Sequence, residues 1–352
     1  MKIGLFDHLE RAPDRSLATQ FDERLAFIAA ADAAGFYCLH VAEHHSTPLN
    51  MTPAASVWLA AVARATKTIR MGPLVYLLPL HSPVQLAEEI CMLDHMSRGR
   101  LDVGIGRGVS PYEIGYHHVK FEQSREIFLD GYACLKTALT YERFDYSGPH
   151  YSYTAVPMPL RPLQSPHPPF WYASSAEEGS AWAGTQGMHF VTNGPSARAK
   201  VNIDAFRAAL ARRGGAADKR PEFSGTDGLG AAVGVLRHVV VADTDEEARR
   251  IAKPAVEFHA KSLNWLRALH GGAAAVFQAN VHRGESFESW QENGMVIAGS
   301  PATVRDTLAH HASAMGINYL ILYMFFGTMS LADAKRSLEL FKKEVMPALT
   351  AI

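Results

Sequence analysis

Two adjacent histidines behind a carboxylate, Glu43-His44-His45, close an apolar run, Tyr37-Cys-Leu-His-Val-Ala42, with the composition of a buried strand. Imidazole titrates near neutral pH, so His44 is a candidate general acid or base. Hydrogen bonding at a strand end accounts for it equally well on the residues alone. Neighbours on an extended chain point to opposite sides, so His44 and His45 are poorly placed to share a metal, and no zinc-ligand spacing accompanies them. Gly104-Ile-Gly-Arg-Gly108 suggests a second chemistry: glycines admit a ligand close to the main chain, and Arg107 offers a bidentate cation to a phosphate. Val109 stands where a dinucleotide fingerprint needs its third glycine, so that motif is incomplete. Ser174-Ser175 precede Glu177-Glu178 at the start of a helical segment, where they can cap the helix or, with its unpaired amides, hold an anion. Leu74-Val75 lies in an apolar strand that could carry a flat ligand or be plain core.

These residues share one kind of position. Strand-like segments near 2–7, 37–43, 69–78, 101–106, 169–174, 188–193, 235–242 and 319–326 alternate with helical ones near 21–34, 53–65, 84–95, 124–139, 177–186, 197–212, 245–261 and 330–346. In the first helix Phe21, Leu25, Ile28 and Ala29 repeat at helical spacing and Gly35 stops it. Alternation predicts a parallel sheet, and eight pairs predict an α/β chain folded as a TIM (β/α)8 barrel with insertions, residues 1–352 forming a single domain. The C-terminal strand ends of such a barrel meet on one rim, which gathers Asp7-His8, Glu43-His44-His45, His81, Arg107, Ser174-Ser175 and Thr192-Asn193. Two insertions interrupt the repeat: 141–168, read as a hairpin with an extended connection, and 259–300, read as a lid. A Gly/Ala-rich stretch at 213–234 reads as mobile.

Composition narrows the class further. The 352 residues include 34 basic and 35 acidic side chains, for a net charge of −1, without long runs of one sign. That balance argues against a nucleic-acid partner and for a small molecule. Forty-eight per cent apolar content, a mean hydropathy of −0.05 and no bilayer-length apolar stretch describe a soluble chain with a large core. Three scattered cysteines, Cys38, Cys91 and Cys134, and no signal-peptide core at the N-terminus point to the cytoplasm.

Taken together, the chain resembles the bacterial-luciferase-like flavin monooxygenases, the luciferase-like monooxygenase family. The likeness is carried by Val41-Ala-Glu-His-His45, by Asp94-His-Met-Ser-Arg-Gly-Arg-Leu-Asp-Val-Gly-Ile-Gly-Arg-Gly108, by Pro166-His-Pro-Pro-Phe-Trp-Tyr-Ala-Ser-Ser175 and by Val345-Met-Pro347, and spans nearly the whole chain. The resemblance implies FMN at the rim, its phosphate held by Arg107, Ser174 and Ser175, its ring near Leu74 and Val75 across a non-proline cis peptide, Glu43 bordering it and His44 assisting chemistry. It also implies a homodimer and a two-component monooxygenase: a flavin reductase supplies reduced FMN, which with O2 oxidises a small organic substrate, and the apolar side chains available to line a pocket favour a hydrophobic or aromatic one. Other implied functions are an F420-dependent hydride-transfer oxidoreductase and a non-catalytic flavin-binding protein. Gly106 replaces the reactive cysteine of bacterial luciferase itself, and His45 and His81 receive no role.

Overall fold

A parallel ladder of short buried strands organises the computed structural model, which describes residues 1–224, 228–271 and 286–352. In chain order its elements are β1 (Lys2–Asp7), α1 (Leu17–Ala34), β2 (Cys38–Val41), α2 (Ala55–Ala65), β3 (Arg70–Pro73), β4 (Tyr76–Leu77), α3 (Pro83–Ser97), β5 (Val103–Gly106), α4 (Pro111–Tyr116) and α5 (Ser124–Thr140). There follow β6 (Arg143–Ser147), β7 (Ser152–Pro157), β8 (Phe170–Ala173), α6 (Glu177–Gln186), β9 (His189–Thr192), α7 (Ser196–Arg213) and β10 (Val233–Val241). The chain ends with α8 (Asp245–His270), α9 (Phe287–Glu292), β11 (Val296–Gly299), α10 (Pro301–Met315), β12 (Tyr319–Tyr323), α11 (Leu331–Leu340) and α12 (Met346–Thr350).

Hydrogen bonding runs β3-β2-β1-β12-β10-β9-β8-β5-β4. Because β3 and β4 are two halves of one stave, this order closes on itself as a (β/α)8 barrel. The break between them falls at Leu74-Val75, whose peptide is cis. A ninth strand, β11, pairs in parallel with the second half of β10. The expected barrel is therefore present, with two differences in its last third. Residues 296–299 belong to the sheet and not to an excursion, and a helix, α10, covers 301–315. Of the segment read as a lid, 272–285 lie outside the described residues, and its flanks are the last turns of α8 together with α9 and β11. Between α5 and β8 the chain forms the antiparallel hairpin β6/β7.

Local chemistry sets the element ends. Ser16 accepts a hydrogen bond from the Thr19 amide at 3.1 Å, so α1 starts four residues earlier than apolar spacing predicts. Gly35 closes it at φ 87°, the left-handed conformation that suits glycine. The barrel strands are buried on both faces, as their continuous apolar runs require.

At the N-terminal end of the barrel the interior is polar. Asp102, almost fully buried, accepts from Arg70 Nη2 at 2.6 Å, Arg220 Nη2 at 2.8 Å and Trp171 Nε1 at 3.0 Å. Burial opposes its charge, but the two guanidinium groups outweigh that and hold its carboxyl far below the ordinary range. Arg220 comes from the stretch read as mobile, and the ion pair supplies the anchor that composition does not reveal. Removing a buried charge's partner is costly, about 3 kcal/mol or more. Asp102→Asn is expected to lose that much stability in chemical denaturation, whereas a loss below about 1 kcal/mol would show that Asp102 does not hold this end together.

Candidate functional site at the C-terminal rim

The C-terminal strand ends surround a cavity of about 520 Å³. His8 follows β1, Glu43 and His44 follow β2, Leu74 and Val75 break the third stave, Arg107 follows β5, Ser174 and Ser175 follow β8, and Thr192 and Asn193 end β9; all line it. Of the rim residues gathered from sequence, Asp7, His45 and His81 are not in the lining. Asp7 instead lies 3.5 Å from Arg24 inside the barrel wall.

His45 and His81 are turned to Glu43. The Glu43 carboxylate accepts from His45 Nε2 at 2.8 Å, His81 Nε2 at 2.9 Å and the Leu77 amide at 3.1 Å. Burial works against ionisation, but these donors overcome it and bring the carboxyl down to about 2. Glu43 is therefore a fixed anion at neutral pH, placed between the ends of β2 and β4.

His44 points the other way, as alternation on an extended chain requires. Its Nδ1 lies 3.2 Å from Glu113 Oε2, and the same oxygen accepts the His45 amide at 2.8 Å. Burial lowers the imidazole's affinity for a proton, while the Glu113 charge and hydrogen bond raise it, and the balance is upward. With Nδ1 committed, Nε2 is the nitrogen available to a ligand.

At another part of the wall, Arg107 donates only from Nε to the Gly108 carbonyl, 3.3 Å away, and its guanidinium lies 5.0 Å from the Phe121 ring centre. Its terminal nitrogens have no protein acceptor among the described residues. Ser174 and Ser175 stand before the first turn of α6, and Arg125 adds a second cation, bonded to Glu178 at 2.7 Å. The lining also includes the apolar Phe6, Leu74 and Val75. At Gly106 a Cβ would sit 2.4 Å from Val75 Cγ2, so a cysteine could stand there only if Val75 moved. The arrangement suits a ligand with an anionic tail and a flat apolar body, which FMN is. Among the described residues no three His, Cys, Asp or Glu side chains converge as a metal site.

Sequence reasoning missed Glu113, Arg125, Glu10 and His259. Glu113 had a signal: Ser110-Pro111-Tyr-Glu113 starts a helix, with Ser110 Oγ accepting the Glu113 amide at 3.3 Å. His259 also had one, as the polar member of the buried stripe Ala252, Ala255, Val256 and His259 on α8.

A sequence model of the luciferase-like monooxygenases matches residues 1–318. The uncharacterized protein y4wF of Sinorhizobium fredii is 34% identical over 98% of this chain and 96% of its own length. The oxygenase component of a flavin-dependent trigonelline monooxygenase from Acinetobacter baylyi is 26% identical over 99% of this chain and 96% of its own. Two solved structures share the fold. The oxygenating constituent of 3,6-diketocamphane monooxygenase from Pseudomonas putida, in complex with FMN, superposes with a TM-score of 0.79 at 23% identity, covering 99% of this chain and 98% of that one. The coenzyme F420 dependent tetrahydromethanopterin reductase of Methanopyrus kandleri reaches 0.70 at 18% identity, with 99% of both chains covered.

The His44–Glu113 pair has a definite pH signature. A folded-state value above the ordinary 6.5 means the pair stabilises the fold fully below that pH, and the contribution is lost as pH rises through the folded value. An NMR titration should place the His44 midpoint above 6.5, and Glu113→Gln should lower it, since burial remains and the anion is gone. An unchanged midpoint in the variant would show that Glu113 does not control His44.

Proposed function

As a member of the luciferase-like monooxygenase family this chain is a flavin-dependent monooxygenase or oxidoreductase, and we propose that it is the oxygenase of a two-component system, taking reduced FMN from a separate reductase and using O2 to oxidise a small, apolar or aromatic organic molecule. One observation carries the reading: a single cavity is lined by the Arg107 guanidinium, whose terminal nitrogens have no protein acceptor among the described residues, by the Glu113-backed imidazole of His44 and by the apolar Phe6, Leu74 and Val75. The trigonelline enzyme's designation as an oxygenase component supports the separate reductase. The FMN in the diketocamphane enzyme supports the cofactor.

When bound, reduced FMN supplies the electrons that activate oxygen. Arg107 and the Ser175 hydroxyl would hold its phosphate, with Arg125 adding positive charge, and the Ser174 hydroxyl, which donates to the Ala176 carbonyl at 2.9 Å, would join them on releasing that bond. Leu74 and Val75 offer the ring an apolar seat, and Glu43 borders it with a fixed negative charge. His44 delivers or removes a proton at Nε2 while Glu113 keeps the ring in place. Phe6 and Trp290 shield the interior from water. The same reading makes the protein a homodimer of the cytoplasm; no helix among the described residues is long and apolar enough to cross a membrane.

An F420-dependent hydride transfer is the second reading, supported by the shared fold of the tetrahydromethanopterin reductase. Anaerobic titration with reduced FMN and with reduced F420 separates the two, and tight binding of F420 alone would overturn the FMN assignment. Arg107→Ala should weaken FMN binding by roughly 10- to 100-fold, the worth of a charge-assisted hydrogen bond, and leave riboflavin binding unchanged because riboflavin has no phosphate. An equal loss for both ligands would place the phosphate elsewhere. His44→Ala should lower turnover by roughly 100-fold with FMN affinity within about threefold of wild type. Unchanged turnover would remove His44 from the chemistry.

A further inference from the structure

The cavity contains a second imidazole held by a buried carboxylate. Glu10, in the loop after β1, and His259, on α8, are both about 1% exposed, yet His259 contributes to the lining. His259 Nδ1 bonds Glu10 Oε1, and the other Glu10 oxygen accepts the Gly327 amide at 2.5 Å and the Tyr323 hydroxyl at 3.3 Å. The remaining nitrogen, Nε2, has no protein partner among the described residues. The groups packed around the His259 ring are His8 from the end of β1, 5.4 Å away, His238 from β10, 4.8 Å away, Tyr323 from β12 and Trp290 from α9, each 5.7 Å away. Asp7 and Arg24, 3.5 Å apart, also act on Glu10, and burial holds the Asp7 carboxyl above its ordinary value in spite of that cation.

This geometry fixes what Nε2 can offer. A neutral imidazole whose Nδ1–H is committed to a carboxylate presents only a lone pair at Nε2, and its complement is a hydrogen-bond donor. If a proton is taken up there, the imidazolium lies between Glu10 and whatever supplied the proton. A group that can share its proton suits both states, and the apolar walls suit the ring or alkene that makes such a hydroxyl acidic.

We propose that Glu10–His259 is the part of the cavity that recognises the substrate, and that the substrate carries an acidic hydroxyl, a phenol or enol, whose proton moves to His259 Nε2. In that step the substrate O–H bond breaks, an N–H bond forms on Nε2 and the electron pair stays on oxygen, leaving an oxyanion beside an imidazolium with no net change in charge. His259 touches the substrate; Glu10 is a positioning residue acting through it. The inference rests on the reading of this cavity as the flavin and substrate pocket, and it gives that pocket a substrate class: an electron-rich oxyanion is the form that an oxygenating reagent attacks most readily.

The test uses para-nitrophenol, whose ionised form has its own visible absorption band, added to the full-length protein without flavin at a pH where the free phenol is mostly protonated. Wild type should show the ionised band on binding. His259→Gln should lose the band or bind at least about tenfold more weakly, and Glu10→Gln should bind the probe but show a smaller ionised fraction. Para-nitroanisole, which carries a methyl group in place of that proton, should bind wild type at least about tenfold more weakly, a comparison that needs no variant to fold. Absence of the band with wild type, an unchanged band in natively folded His259→Gln, or equal affinity for the ether would each overturn the proposal. FMN binding followed in parallel keeps the two readings apart: a normal flavin titration without the phenolate band rejects only the hydroxyl substrate, and the reverse rejects only the flavin.

Discussion

Glu43 ties the end of β2 to the far half of a stave that is broken in the middle. The sheet passes from β2 to β3 on one side of Leu74-Val75 and from β4 to β5 on the other, so barrel closure crosses that break. A carboxylate that accepts from the Leu77 amide, His45 and His81 fastens β4 to the β2 end from inside. Because it takes the His45 ring, it also fixes the local chain direction, and alternation then turns His44 to the cavity. Loss of this one ionised group would loosen the closure, the apolar seat and the orientation of His44 together.

The two ends of the barrel handle buried charge differently. At the N-terminal end Asp102 is enclosed by Arg70, Arg220 and Trp171, and deep burial keeps His40 at about 4 and His189 at about 3, both neutral. Asp102, Arg70 and Arg220 each face an opposite charge there. At the rim, His44 and His259 each give one nitrogen to a buried carboxylate and keep the other on the cavity side. That division between a compensated base and a partly uncompensated rim is what a barrel enzyme requires, since only groups with unfilled hydrogen-bonding capacity can act on a ligand.

The barrel was legible in the sequence because its signals are periodic and local: apolar runs for strands, three- and four-residue spacing for helices, Gly35 as a stop. The rim residues were legible for the same reason, since a strand end is a position and not a contact. What stayed hidden depends on meetings between distant segments. Nothing near Arg220 says that it will reach Asp102, and a Gly/Ala-rich stretch looks loose until that pair is seen. Likewise Glu113 and Glu10 read as ordinary loop and helix-start acids, and only the fold shows which imidazole each holds. Strand β11 was missed because four residues, Val296–Gly299, are too short to carry a period, and the segment before them disguised it as part of an excursion.

The packing of Val75 against Gly106 bears on chemical durability. With glycine at 106 packed against Val75, no thiol borders the chamber, and the three cysteines lie buried away from its lining. Burial pushes the Cys91 thiol up to about 11, the Cys134 thiol to about 12 and the Cys38 thiol well above its ordinary value. Almost none of the nucleophilic thiolate form exists at physiological pH, so these cysteines offer an oxidant no reactive sulfur.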